Sequence, residues 1–78
     1  MEALAVLKEA EKNLEFFNNN FNDFEMKYPN KFVAVSGANL VAVGETPEAV
    51  FQNIDEKKID HSKVLVEFIP IAGSTLVL

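Results

Sequence analysis

The sequence predicts a single α+β domain over residues 1–78, with helices and a mostly antiparallel sheet in two layers. Three observations carry this prediction. Apolar residues recur every seven positions in the first third of the chain, two apolar runs flank a Gly-Ala pair, and a second helix start precedes another apolar run. The predicted order is helix, strand, strand, helix and strand, with a short last strand as an open alternative.

Residues 2–26 are predicted to form one long helix. Asn18–Asn20 are weak helix formers, so a break at these asparagines stays open as the alternative. Pro29 ends the helical segment, because proline disfavours helical geometry in the residue before it. Two rows of apolar residues, each spaced by seven, form the predicted packing stripe: Leu7, Leu14, Phe21 and Tyr28 in one, and Ala3, Ala10, Phe17 and Phe24 in the other.

The next segment is predicted to be a β-hairpin with strands Phe32–Ser36 and Asn39–Val43. Glycine at the first of the two central positions, Gly37-Ala38, favours a type II′ turn. Both faces of the hairpin are apolar, so both are expected to be covered. The resulting register pairs Ser36 with Asn39, Val35 with Leu40, Ala34 with Val41, Val33 with Ala42 and Phe32 with Val43.

A second helix of about three turns is predicted to begin at Thr46-Pro47. Threonine is a favoured N-cap residue, and proline fits the first helical position because no hydrogen bond is lost there. After a loop, Val64–Ile69 alternates as a third strand. Thr75–Leu78 is β-prone, and it is predicted either to form a fourth strand or to reach a neighbouring molecule.

The amino-acid composition of the chain disfavours several classes of function. Seven basic residues against twelve acidic ones give a net charge of −5, which disfavours binding to nucleic acid because phosphates require a basic surface. The chain has no cysteine, so thiolate metal sites and disulfides are excluded. No apolar run is long enough to span a membrane, and the N-terminal residues lack the basic region of a signal peptide. The expected location is the cytoplasm.

Few residues of the sequence are candidates for catalysis or metal binding. His61 is the only histidine, and it is expected to be a solvated loop residue since a metal ion needs several converging ligands. Glu45, Glu48 and Glu67 are expected to be surface or edge carboxylates, whereas an acid–base pair would need one member desolvated. The sequence therefore predicts no catalytic, cofactor-binding or metal-binding residues. The alternative is a small-molecule binder or enzyme with a pocket between helix and sheet.

Self-association is the leading functional hypothesis. A helix over residues 2–26 is longer than the predicted strands, so its N-terminal half would extend past the sheet with Leu4, Leu7 and Leu14 exposed. A soluble protein seldom leaves such a patch uncovered, which predicts a homodimer and also allows a different protein partner. Leu76 and Leu78 in the C-terminal segment are a second candidate interface, since an apolar β-prone segment can add to a sheet edge.

The segments Tyr28–Val35, Val41–Gly44 and Val64–Pro70 resemble a family of short, uncharacterised prokaryotic domains. Members of that family typically read Tyr-Pro-Gly-Lys-Trp-Val-Ala, then a short turn, an acidic helix and a Val-Leu-Val-Glu-Tyr-like strand. The resemblance covers residues 16–70. Asn30 stands in place of the usual glycine, and Gly37-Ala38 replaces the usual Asp-Gly turn, which favours a different turn type. The resemblance implies the fold and carries no catalytic residues.

Overall fold

The computed structural model describes the backbone of residues 2–71 and the side chains of residues 8–71. The α+β class, the predicted order of helices and strands, and the antiparallel sheet are confirmed. Thr75–Leu78, the segment predicted as a last strand, lies outside the described residues. The elements are α1 (Glu2–Asn19), α2 (Phe21–Lys27), β1 (Lys31–Ser36), β2 (Asn39–Gly44), α3 (Pro47–Glu56), a 3₁₀ turn (His61–Lys63) and β3 (Leu65–Ile69).

The predicted unbroken first helix is wrong, and the alternative with a break is confirmed. The break lies at Asn20, whose φ of −110° and ψ of 9° are not helical. The Asn20 side chain donates a hydrogen bond to the carbonyl of Phe16 at 2.9 Å, a local interaction that competes with regular helix. The Phe24 N–H still donates to the Asn20 carbonyl at 3.0 Å. This bond carries the helical hydrogen-bonding pattern across the break, so Phe17 and Phe24 still pack in one cluster.

The sheet has the order β2-β1-β3, and both pairings are antiparallel. On one face, Phe17 and Phe24 from α1 and α2 pack against Val33 and Ile69. On the other face, α3 packs against Ala34 and Ala42. The expectation of two layers is therefore corrected to three, because neighbouring residues of β1 point to opposite faces and each face is covered by its own helical layer.

A β-bulge in β2 changes the predicted hairpin register. Val35 pairs with Leu40 as expected, but Ala34 pairs with Ala42, which leaves Val41 as the extra residue. The predicted pairs of Ala34 with Val41, Val33 with Ala42 and Phe32 with Val43 are therefore wrong. The bulge places the small Ala34 and Ala42 side by side under α3, where Val50 and Ile54 fill the space above them.

The hairpin turn is also of a different type from the prediction. Gly37 has a φ of 59° and Ala38 a φ of 56°, so both central residues are left-handed, as a type I′ turn requires. Asn30, with a φ of 62°, adopts the left-handed conformation that asparagine tolerates better than most residues. Its position is the one at which the resembling family has glycine.

Replacing Ala38 by glycine is expected to raise the free energy of unfolding by about 0.5–1 kcal/mol. The left-handed conformation costs a residue with a Cβ about 1–2 kcal/mol, and the greater freedom of glycine in the unfolded chain offsets part of this gain. Urea denaturation measures the difference. Ala38→Val is the matched control, and it should lower stability because a β-branched side chain fits this conformation worse. Equal stability of Ala38→Gly and the parent would contradict the turn assignment.

The N-terminus of α3 forms as predicted. The Thr46 hydroxyl accepts a hydrogen bond from the Ala49 N–H at 3.1 Å, and Pro47 occupies the first turn. A Cβ added at Gly44 would lie 3.1 Å from the Ala49 Cβ and 3.1 Å from the Val50 Cγ2. Glycine at the end of β2 therefore lets α3 approach the sheet closely.

None of the described helices is both long enough and apolar enough to cross a membrane.

Candidate interaction surface

The apolar row that contains Leu14 and Phe21 is less buried towards the N-terminus of α1. Phe21, in α2, is half-buried against the core, whereas Leu14, seven residues earlier in the same row, is 47% exposed. Ala10, in the neighbouring row, is also exposed. Leu4 and Leu7 lie within α1, but their side chains are outside the described residues, and Leu76 and Leu78 lie outside them altogether. Of the predicted interface leucines, Leu14 is the one whose exposure is established.

Asn13 fixes α1 against the sheet next to this exposed row. Its side chain is 2% exposed, and its Oδ1 accepts a hydrogen bond from the Ala38 N–H at 3.0 Å. Its Nδ2 donates to the Lys63 carbonyl at 3.1 Å. One side chain therefore joins α1, the hairpin turn and the 3₁₀ turn, and the Lys63 carbonyl also accepts a hydrogen bond from the Ser36 hydroxyl at 2.9 Å.

Sequence reasoning missed this role of Asn13. The available signal was its position four residues before Phe17, which places it on the same face of the helix as a core aromatic. A polar residue on a core-facing row needs hydrogen-bond partners. Nothing in the sequence identifies those partners, because Ala38 and Lys63 offer only backbone groups and lie 25 and 50 residues away along the chain.

The third strand carries a second exposed apolar region. The helix α3 packs on β2 and β1, so the side chains that β3 presents on the same face are less completely covered. Phe68 is 44% exposed, and its ring lies 5.1 Å from the half-buried ring of Phe32. Val64 and Val66 are half-buried on this face. Apolar surface therefore continues from the core to the outer side of β3.

The two outer strands are protected to different extents. In β2, the bulge interrupts regular pairing, and the Lys57 ammonium donates a hydrogen bond to the Val41 carbonyl. Bulges and lysines are devices that discourage a sheet edge from pairing with another chain. Within residues 2–71, β3 is paired along one edge only, and Glu67 is the one charged residue between Leu65 and Ile69. In the part of the chain that the structure describes, the edge of β3 is the less protected one.

His61 is exposed, as expected for a loop residue, but it is not isolated. Its Nε2 lies 2.6 Å from the Asp55 Oδ1, and its ring centroid lies 5.1 Å from that of Phe51. These contacts attach the 3₁₀ turn to α3. Asp60 accepts hydrogen bonds from the Ser62 N–H and hydroxyl, which lower the pKa of Asp60 below its ordinary value of 3.8. The group is a local turn structure, and each of its polar side chains has a structural partner.

The structure separates the candidate carboxylates. Glu45 is exposed and forms an ion pair with Lys31 at 3.7 Å. Glu48 is exposed in the first turn of α3. Glu67 is half-buried and pairs across the strands with Val33, on the face opposite α3. Lys31 pairs with Glu45, and Glu67 lies on the face of the sheet opposite the helix that carries Glu48.

No group of three or more histidine, cysteine, aspartate or glutamate side chains suited to a metal ion occurs in the part of the chain that the structure describes. The model of a family of unknown function (DUF5678) matches residues 23–71, which run from α2 through β3. No curated protein matches the chain, and no solved structure matches it.

Proposed function

The chain belongs to the family of unknown function DUF5678, and we propose that it is a self-associating protein-interaction module without catalytic activity. Its partner is a second copy of the same chain, held in a homodimer. The proposed place of action is the cytoplasm. Neither nucleic acid nor membrane is a proposed partner, in keeping with the net charge of −5.

The exposure of Leu14 is the observation that carries this proposal. Leu14 is 47% exposed, and it belongs to the part of the apolar row of α1 that the core does not cover. The hydrogen bonds of the adjacent Asn13 hold the helix in place, so Leu14 cannot turn inward without breaking them. A helix row fixed in this way can be covered by the same row of a second copy, which is the self-complementary contact of a two-fold dimer.

The side-chain packing between the helices and each face of the sheet supports an interaction module over a small-molecule binder or enzyme with a pocket between helix and sheet. Phe17 and Phe24 fill the layer between α1, α2 and the sheet, and Val50 and Ile54 fill the layer under α3. Small-molecule sites are usually clefts with a few convergent polar groups. The polar side chains that lie near one another here, such as His61 and Asp55, serve to join structural elements.

Replacing Leu14 by glutamate is expected to weaken the dimer by about a hundredfold or more. Burial of a leucine contributes about 1.5–3 kcal/mol, and a symmetric dimer loses two such contacts. Sedimentation equilibrium of both proteins at micromolar concentration measures the dissociation constant. Asn19→Glu is the matched control, because it adds the same charge to an exposed position of α1 that lies about 140° around the helix from Leu14, and it should leave the dimer intact.

A parent protein that is monomeric at these concentrations would contradict the proposal. Native mass spectrometry of the purified protein separates the alternatives further. A mass of two chains supports the dimer, whereas a single chain carrying a stoichiometric small molecule would favour the alternative of a pocket between helix and sheet.

A further inference from the structure

We infer that Lys57 is a protective residue, which keeps β2 from pairing with a strand of another chain. Its ammonium group donates a hydrogen bond to the carbonyl of Val41, the bulged residue of β2. A strand that added beside β2 would have to displace this ammonium group or bury it, and burying a charge without a partner is costly. The inference goes beyond the proposed self-association, because it concerns a surface that the fold keeps out of association.

The composition of β2 explains why this strand needs protection from outside. Within residues 2–71, β2 is paired on one side only, with β1. Its residues Leu40–Val43 form an apolar and mostly β-branched run, the type of segment that pairs readily with copies of itself. β1 contains Lys31 and β3 contains Glu67, whereas none of the six residues of β2 is charged. A charged group at β2 must therefore come from another element.

The C-terminal end of α3 places Lys57 where it can reach β2. Lys57 is the C-cap residue, and its N–H donates to the Asn53 carbonyl at 3.0 Å. The next residue, Lys58, is left-handed with a φ of 59°, and the Ile59 N–H then donates to the Ile54 carbonyl at 3.1 Å. This is the bond pattern of a Schellman helix end. Because Ile54 is buried and Ile59 packs on the same cluster, the backbone at Lys57 is fixed against the sheet.

The bulge and the lysine act on the same residue. Ala34 pairs with Ala42 and Val35 pairs with Leu40, so Val41 has no partner residue in β1. A bulge of this kind interrupts the regular ladder and increases the local twist of the strand. The Lys57 ammonium adds a charge at that point, 16 residues further along the chain. The two features together are the means by which natural sheets prevent pairing between edges.

Replacing Lys57 by methionine tests this role, because methionine keeps an unbranched apolar stem and removes the charge and the donors. Under native conditions the variant is expected to aggregate about tenfold faster than the parent, as measured by thioflavin T fluorescence and light scattering. Lys58→Met is the matched control, since it removes the same charge from the neighbouring exposed lysine and also changes the net charge from −5 to −6. It should aggregate at the parent rate, and so should Lys57→Arg, which keeps a charged donor.

A second control separates edge protection from a loss of stability. Phe51→Ala weakens the packing of α3 and leaves Lys57 in place. Urea denaturation gives the unfolded fraction of each variant, and the aggregation rates are compared at equal unfolded fractions. Faster aggregation of Lys57→Met than of both controls supports the inference. A rate no faster than that of Lys58→Met, or equal to that of Phe51→Ala, overturns it.

Hydrogen exchange of the aggregates locates the pairing segment. The amides of Leu40–Val43 are expected to be protected in aggregates of Lys57→Met, and protection confined to other segments would contradict a role at β2. The test is independent of the proposed dimer. A parent protein that sediments as a monomer would refute the proposed function and leave the comparison of aggregation rates unchanged.

Discussion

Replacing Phe24 by alanine is expected to lower the free energy of unfolding by about 3–5 kcal/mol. Phe24 is 5% exposed, and its ring centroid lies 5.9 Å from that of Phe17 and 6.2 Å from those of Phe16 and Tyr28. It joins the two helical segments to each other and to the sheet. A domain of this length has roughly 4–12 kcal/mol of stability, so the variant should be close to unfolding.

Phe51→Ala is the matched control for Phe24→Ala. It removes the same number of atoms from a helix, but Phe51 is 36% exposed and contacts the exposed ring of His61. Its loss should cost roughly 1 kcal/mol, since less apolar area returns to water. Urea denaturation of the three proteins at low concentration, where no dimer contributes, measures both effects. Equal costs would mean that the aromatic residues of α1 and α2 are not the centre of the core.

Replacing Asn13 by alanine is expected to lower the free energy of unfolding by about 1–3 kcal/mol. The change removes two hydrogen bonds and leaves the Ala38 N–H without this partner, whereas the Lys63 carbonyl keeps its hydrogen bond from the Ser36 hydroxyl. An unsatisfied buried polar group costs about 1–3 kcal/mol. Because the bond to Ala38 also holds a left-handed residue in place, the hairpin turn should exchange amide hydrogens faster in this variant.

Asn18→Ala is the control for Asn13→Ala, since Asn18 is an exposed asparagine in the same helix. It should be neutral or slightly stabilising, because alanine is the better helix former. Thermal and urea denaturation compare the two variants. If Asn13→Ala were as stable as Asn18→Ala, then Asn13 would not anchor α1 to the sheet.

Most of the fold could be predicted from local sequence signals. Thr46 and Pro47 specify the start of α3 because a hydroxyl cap and a residue without an N–H both suit that position, and the structure shows that cap. The core role of Phe17 and Phe24 followed from their spacing of seven. The bulge at Val41 could not be predicted in this way, because it depends on how α3 and the α1–α2 layer fit the two faces of the sheet.

The candidate interface was only partly predictable. The spacing of Leu7 and Leu14 indicated an apolar row in α1, and the structure adds that Leu14 is exposed. The edge of β3 was not predicted, because strand order is not encoded in any local pattern. The structure identifies this edge, because β1 lies between β2 and β3 and the Lys57 ammonium donates a hydrogen bond to the Val41 carbonyl of β2.

By itself, the sequence determined the α+β class, the positions of the helices and strands and the acidic surface, because caps, spacing and charge act over a few residues. Tertiary structure alone decided the three layers, since the choice of one or two covered faces depends on how α3 packs over Ala34 and Ala42. It also decided the turn type, because the Asn13 side-chain oxygen accepts a hydrogen bond from the Ala38 N–H, although the two residues are 25 positions apart in the sequence. Long-range contacts of this kind connect residues whose local sequences carry no sign of one another.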